Sequence, residues 1–160
     1  MDAIDKVVEQ WYQQKPELET EPMAILGRLL RIAKHLETQI TELHKEYDLK
    51  MGEFDVLATL RRSGEPYRLL PSELIASMLL TSGAMTNRLD KLEAKGLIAR
   101  KHSLEDRRSV AVELTAKGLV LIDELMLQHV SLQHELLRPL THEQKGQLNQ
   151  LLKLWLPLFE

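Results

Sequence analysis

Cysteine is absent from the 160 residues of this chain, and aromatic residues make up only 4% of it. The lack of thiols excludes disulfides, thiolate-ligated metals and thiol-based redox switches. Hydrophobic residues make up 44% of the chain and are mostly aliphatic, so we expect a core built from helices. A chain of this length can form one domain, or one compact lobe with an elaboration.

Long hydrophobic runs are missing too. No apolar stretch approaches the ~18 residues that a membrane-spanning helix requires. The first residues, Met1-Asp-Ala-Ile-Asp, lack the basic region and the apolar region of a secretion signal. We therefore expect a cytoplasmic protein that has no membrane partner.

The motifs of common enzymes are also missing. The sequence has no His-Glu-x-x-His, no Gly-x-Ser-x-Gly, no P-loop and no Gly-x-Gly-x-x-Gly. Most of the six histidines are expected on solvated helix surfaces, and His129 and His134 could bind a metal only if another segment supplied ligands. We predict no enzyme activity, no catalytic residue, no metal and no cofactor.

What the chain does contain is a local excess of positive charge. Residues 81–108 hold seven Lys or Arg and four Asp or Glu, a net charge of +3, whereas the rest of the chain carries −6. The overall net charge of −3 hides this division. A basic face on an acidic body is compatible with phosphate binding at one place and repulsion elsewhere.

Hydrophobic periodicity divides the chain into helices and one two-stranded ribbon. Apolar residues recur at helical spacing in most segments and at alternate positions near residues 97–114. The pattern predicts helices over 3–14, 23–47, Gly52 to Ser63, a segment beginning at Pro71, 81–95, 115–137 and a segment from Thr141 onward, with strands over 97–101 and 108–114.

Helix, short glycine-containing turn and helix, followed by a ribbon, is the order of a winged helix-turn-helix. The terminal helices carry more apolar side chains than such a lobe could cover, which usually marks association. We therefore predict a mainly α fold with a small β-wing, in which a winged helix-turn-helix lobe is joined to a helical dimerisation lobe from both termini. The predicted divisions are the N-terminal helices 1–47, the winged helix-turn-helix lobe 48–115 and the C-terminal helices 116–160.

The predicted helix 81–95 has two unlike faces. Met85, Leu89 and Leu92 form an inward stripe. The opposite face has small residues together with Asn87 and Lys91, which suit adenine edges and guanine or phosphate respectively. An ordinary solvated face is the alternative interpretation.

The tip of the ribbon carries Asp106, Arg107 and Arg108. Arginines on a ribbon beside a reading helix suit the narrow, electronegative minor groove of DNA. The alternative is a solvated hairpin with a local Asp–Arg pair, and both interpretations can hold, because the Asp can hold an Arg extended toward DNA.

Arg88 lies at the edge of the inward stripe, about 60° from Met85 around the helix. A partly buried arginine requires a partner, and Asp55 is a candidate. Two roles stay open for this pair. It either fastens two helices or allows an anionic ligand to compete for Arg88 and shift the reading helix.

At this point the sequence resembles the MarR family of bacterial transcriptional regulators over nearly its whole length. The resemblance rests on the order of the helices and on two stretches, Leu89-Asp-Lys-Leu-Glu-Ala-Lys-Gly-Leu-Ile98 and Asp106-Arg-Arg-Ser-Val-Ala-Val-Glu-Leu-Thr-Ala-Lys-Gly118. It implies a homodimer, most simply a repressor, that binds pseudo-palindromic double-stranded operator DNA and is released by a small molecule. The expected DNA contacts are Ser82, Thr86, Asn87, Lys91, Arg107 and Arg108.

A narrower resemblance is to the urate-responsive subset of that family, through Phe54-Asp-Val-Leu-Ala-Thr-Leu-Arg-Arg-Ser-Gly64 and Thr81-Ser-Gly-Ala-Met-Thr-Asn-Arg88. It implies a small anionic aromatic ligand, urate or a salicylate-like acid, held by Trp11, Asp55, Arg88 and Arg100. Through Trp11, the resemblance also makes the division 1–47 a ligand-pocket element. Met51-Gly52 departs from the subset, which usually has bulkier ring-bearing residues there.

A winged helix can also serve as a protein-interaction module that does not bind DNA. Strong salt dependence of binding to DNA upstream of its own gene favours the regulator, and its absence favours the module.

Overall fold

A computed structural model describes residues 1–79, 84–102 and 108–160. Two of the predicted DNA contacts, Ser82 and Arg107, lie outside these residues. The elements in chain order are α1 (Ala3–Gln14), α2 (Glu21–Glu46), α3 (Met51–Arg62), β1 (Arg68–Leu69), α4 (Pro71–Ser77), α5 (Met85–Ala94), β2 (Ile98–His102), β3 (Val110–Leu114), α6 (Ala116–Leu136), α7 (His142–Trp155) and a 3₁₀ turn, Leu156–Phe159. The fold is mainly helical, as predicted.

Two compact units make up the chain, residues 1–42 and 43–160. In the first unit, Asp2 caps α1 by accepting hydrogen bonds from the amides of Ile4 and Asp5 at 2.7 and 2.9 Å. Arg28 of α2 pairs with both Asp2 and Asp5. Its hydrogen bond, ahead of the backbone bonds of the cap, lowers the pKa of Asp2 to about 2. These contacts fasten α1 to α2.

In the second unit, α3, α4, α5, the sheet and α6 share one aliphatic core. Alternating or helically spaced leucine, isoleucine and valine side chains from each element are removed from water there. The fully buried members include Val56, Leu57, Leu60, Leu74, Leu92, Ile122 and Leu125.

The sheet has three antiparallel strands in the order β1-β3-β2, one more than the predicted ribbon. The extra strand consists of Arg68 and Leu69, which pair with Glu113 and Val112. The sequence of residues 65–68 predicts a loop, and this is wrong for Arg68, which belongs to β1. A two-residue strand has no periodicity of its own and exists only because β3 offers a partner.

The wing joins α6 through Thr115 and Gly118. The Thr115 side chain accepts a hydrogen bond from the Gly118 amide at 3.0 Å and donates one to the Gly96 carbonyl at 2.6 Å. Gly118 packs so closely on the backbone of Leu97 that an added Cβ would overlap the Leu97 carbonyl oxygen. The start of α6 is thus fixed to the turn before β2.

Most predicted helix bounds are confirmed to within about two residues. The helical spacing of Leu74, Ile75, Met78 and Leu79 predicts that all four face inward. This prediction is wrong for Ile75 and Leu79, which are 41% and 86% exposed. The helix ends at Ser77 because Met78 adopts an extended conformation, so the inward spacing does not continue to Leu79.

Large apolar side chains of α6, α7 and the 3₁₀ turn remain exposed in the single chain. They include Val120, Leu127, Val130, Leu151, Leu154, Leu158 and Phe159.

Among the helices that the structure describes, none combines the length and the apolar character needed to span a membrane.

Candidate functional site

The outer face of α5 presents polar side chains to solvent. Leu89 and Leu92 are buried in the core, whereas Thr86, Asn87 and Lys91 are exposed. Because inward and outward residues of a helix alternate at about 100° per residue, fastening the leucines aims the polar residues away from the core. The two-faced character predicted for this helix is confirmed.

The wing carries Arg108, exposed just before β3. Behind it, the sheet holds a charged cluster in which Lys101 Nζ lies 2.9 Å and Arg68 Nη2 lies 3.3 Å from Glu113 Oε2. The hydrogen bond from Lys101, together with Arg68, holds the pKa of Glu113 below its usual range. This carboxylate therefore stays ionised and offsets part of the wing's positive charge.

Lys95, at the C-terminal end of α5, serves as an anchor. Its Nζ lies 3.2 Å from Oε1 of Glu53, a residue of α3 that is only 2% exposed. The same ammonium donates to the carbonyl of Asp48. The C-terminal end of α5 is thus joined to the first turn of α3 by a largely buried ion pair.

Arg100, one of the two arginines of the predicted ligand set, lies close to carboxylates of α5. Arg100 pairs with Asp90 and lies 4.0 Å from Glu93, both on α5. Asp90 is about 200° from Arg88 around the helix, so these contacts lie on a different side of α5. A ligand that engaged both arginines would first have to open the Arg100–Asp90 pair.

Arg88 lies against α3. A Cβ built on Gly52 would fall 2.5 Å from Cζ and 2.9 Å from Nη2 of Arg88, so the guanidinium rests on the bare side of Gly52. Asp55 follows three residues later on the same side of α3, and its Oδ1 accepts a hydrogen bond from the Leu79 amide at 3.4 Å. The remaining member of the set, Trp11, belongs to α1 in the first unit and is 39% exposed.

A cleft of about 650 Å³ opens beside Asp55, between α3, the end of α4 and α6. Its two arginines are already engaged: Arg61 pairs with Asp123 at 2.6 Å and lies 5.0 Å from the centre of the Tyr67 ring, and Arg62 donates to the Ser77 carbonyl. The lining residues are Phe54, Asp55, Ala58, Arg61, Arg62, Leu79, Asp123, Met126, His129 and Gln133.

One wall of this cleft is a buried stack of rings. The Phe54 ring lies 4.1 Å from that of His44 and 4.7 Å from that of His129. His44 Nε2 and His129 Nδ1 are 3.3 Å apart, and the Gln133 amide nitrogen lies 3.1 Å from His129 Nε2. If that amide donates, His129 donates in turn to His44 and both rings are neutral.

Burial lowers the pKa of both histidines. For His44 the value falls to about 4, first because its charged form would lose hydration and then because His129 is close. Four of the six histidines are exposed, as predicted, whereas these two are buried. Helical spacing is the signal that could have found them, because His44 follows Ile40 by four residues and His129 follows Leu125 by four residues. Over residues 1–79, 84–102 and 108–160, no three His, Asp or Glu side chains form a metal-binding group.

A helix-turn-helix segment, a β-wing behind it and an exposed polar face on α5 define a winged-helix protein. The MarR family matches residues 49–110 of the chain. PecS from Dickeya dadantii, an HTH-type transcriptional regulator, is 36% identical over 149 residues, covering 93% of this chain and 90% of PecS. The chain therefore belongs to the MarR family.

Solved structures agree with this assignment. A mutant of MarR from Escherichia coli complexed with operator DNA matches with a TM-score of 0.72 and 29% identity, over 86% of this chain and 98% of that chain. A MarR-like transcription regulator from Bacillus cereus matches with a TM-score of 0.77 and 22% identity, over 89% of this chain and 100% of that chain.

Proposed function

We propose that this protein is a transcriptional regulator that binds a pseudo-palindromic operator as a homodimer and acts as a repressor. The observation that carries the proposal is the exposed row Thr86, Asn87 and Lys91 on a helix whose other face is fixed in the core. Membership of the MarR family supports it. Asn87 and Lys91 enter the major groove, and Arg108 with Arg107 reaches the minor groove.

Two variants separate base reading from phosphate binding. Asn87→Ala loses ~1–3 kcal/mol mainly on the preferred operator, because it removes contacts with base edges. Arg108→Ala weakens binding to all DNA and flattens the salt dependence. Each phosphate that the protein neutralises releases counterions and contributes about −0.9 to the slope of log K against log salt concentration. Fluorescence anisotropy with operator and random DNA at several salt concentrations measures both. Asn149→Ala on α7 is the matched control, since that asparagine is exposed and lies far along the chain from α5.

The exposed apolar side chains of α6 and α7 support the dimer, since two copies can cover them. The reading helices of such a dimer lie about 34 Å apart, one turn of duplex. A footprint on DNA upstream of the gene tests this spacing, and half-sites off that period would contradict it.

Ligand control is the finer part of the proposal. A small anionic aromatic acid, such as urate or a salicylate-like compound, enters the cleft beside Asp55 and competes for Arg88, which lowers DNA affinity. The cleft supports this because it combines apolar and aromatic walls with Asp55, the candidate partner of Arg88. Because coupling is reciprocal, operator DNA must weaken ligand binding by the same factor.

Repeating the footprint with urate, with salicylate and with related acids tests ligand control. Arg88→Ala should abolish the release of DNA, whereas Arg138→Ala, an exposed arginine paired only with Glu135 among the described ion pairs, should keep it. Normal release by urate from the Arg88→Ala protein would contradict the role of Arg88. The parts assigned to Trp11 and Arg100 stay predictions, and the corresponding alanine variants test them in the same assay.

A further inference from the structure

Gly52 occupies the first turn of α3, where glycine is a poor choice for the backbone. Its φ is not positive, unlike those of Gly64 and Gly96. A helical glycine loses more conformational freedom on folding than an alanine does. The reason for glycine at this position is therefore space and not backbone conformation.

The space is taken by Arg88 of the reading helix. A Cβ at Gly52 would lie 2.5 Å from Cζ and 2.9 Å from Nη2 of that side chain and would also overlap Nε. Ordinary contacts of a Cβ begin at 3.4 Å. The guanidinium can thus rest on the backbone of α3 only because residue 52 has no side chain.

This contact lies at the end of α5 where DNA recognition is proposed to occur. Arg88 is next to Asn87 in the first turn of α5, while the other end is tied by Lys95 to Glu53 at 3.2 Å. The core leucines Leu89 and Leu92 lie between the two attachments. The packing of the Arg88 guanidinium on Gly52 is therefore one contact that orients the N-terminal turn of α5 against α3.

We propose that Gly52 is a positioning residue for DNA recognition. Because it has no side chain, the Arg88 guanidinium packs on its backbone, and this contact fixes the turn of α5 that presents Asn87. The proposal rests on the function proposed above. It assigns to Gly52 an effect on operator selectivity that is transmitted by one side chain.

Gly52→Ala is an informative variant because the group that must move is the flexible end of an arginine. The substitution does not change the packing of the core leucines, so the protein should fold, but the added methyl displaces the Arg88 guanidinium from residue 52. Contacting residues commonly couple by factors of about 2 to 150. We expect the ratio of operator affinity to random-DNA affinity to fall about tenfold, at the lower middle of that range.

The experiment compares five proteins by fluorescence anisotropy on operator and random DNA: the wild type, Gly52→Ala, Gly146→Ala, Arg88→Ala and the double variant. Gly146→Ala on α7 is the matched control, because a Cβ there would meet nothing within 4 Å, and its selectivity should equal that of the wild type. In an Arg88→Ala background, adding Gly52→Ala should change selectivity no further. Wild-type selectivity of Gly52→Ala, or an equal tenfold loss in the Arg88→Ala background, would overturn the proposal.

A measurement without DNA keeps the two proposals distinguishable. The NMR signal of the Arg88 Nε–H should exchange slowly with water in the wild type and faster in Gly52→Ala, because the added methyl displaces the guanidinium. If the exchange rate is unchanged in Gly52→Ala, the Arg88 guanidinium does not pack on Gly52, even if DNA binding is confirmed. If instead the wild-type protein binds operator and random DNA with equal affinity, the proposed function is refuted, and the exchange rate still tests the contact between Arg88 and Gly52.

If Gly52→Ala does not fold, Arg88→Lys tests the same contact from the other side. An ammonium cannot reproduce the flat contact of a planar guanidinium on Gly52, so the same tenfold loss of selectivity is expected. Unchanged selectivity of Arg88→Lys would overturn the proposal.

Discussion

The buried His44 ring makes the stability of the protein depend on pH in a defined window. His44 is 0% exposed and stacked on Phe54 at 4.1 Å, and its pKa is lowered from 6.5 to about 4. The unfolded chain therefore takes up this proton first as the pH falls. The contribution of His44 to the free energy of unfolding is fully present above pH 6.5, declines as the pH falls from 6.5 toward 4, and does not change further below that.

The size of the effect follows from the two pKa values. Going from pH 7.5 to pH 4.5, His44 alone should lower the free energy of unfolding by about 2.5 kcal/mol, at about 1.4 kcal/mol per pH unit over most of the window. The pKa of His129 is lowered as well, by burial, so it adds to the loss in the same direction.

Urea unfolding at one fixed protein concentration measures this loss, since the stability of a dimer depends on concentration. His44→Phe keeps an aromatic ring next to Phe54 but cannot titrate. Between pH 7.5 and 4.5 the free energy of unfolding of this variant should therefore fall by about 2.5 kcal/mol less than that of the wild type. His134→Gln, at an exposed position on α6, should keep the wild-type dependence. If His44→Phe keeps the full dependence on pH, the buried neutral ring is not its source.

Three further substitutions test the packing that positions the site. Gly118→Ala should cost about 3 kcal/mol in urea unfolding, because the added Cβ meets the rigid Leu97 backbone; a loss no greater than that of Gly146→Ala would contradict the close approach. Lys95→Met should cost about 2 kcal/mol, because it leaves the buried Glu53 carboxylate without its cation, and adding Glu53→Gln should restore part of the loss. Thr115→Val should lower stability by about 1 kcal/mol through the lost cap of α6, and an unchanged urea midpoint would argue against that cap.

Much of the fold was predictable because its signals are local. Helical spacing of apolar residues predicted α1, α2, α3 and α6 closely, and Thr115 and Thr141 cap the helices that follow them. The two faces of α5 were predictable for the same reason, since burying Leu89 and Leu92 leaves Asn87 and Lys91 outside. The charge window also depends on sequence alone.

Partner choice was decided by the tertiary structure. Arg100 and Arg88 are both arginines near one helix, yet the fold pairs Arg100 with Asp90 and lays Arg88 on Gly52. His44 and His129 each fall on an apolar helix face, but they are 85 positions apart, and only the fold brings their rings within 3.3 Å of each other. Long-range contacts of this kind have no periodicity along the chain, because they depend on which surfaces the packed helices bring together.

What the sequence by itself determined is therefore the set of helices, the wing and the face of α5 that meets solvent, because each follows from the local alternation of apolar and polar residues. Only the tertiary structure decided where β1 pairs, that His44 and His129 contact each other, where the cleft beside Asp55 opens and why residue 52 is glycine. Each of these depends on the distance between segments far apart in the chain, and that distance is set by packing.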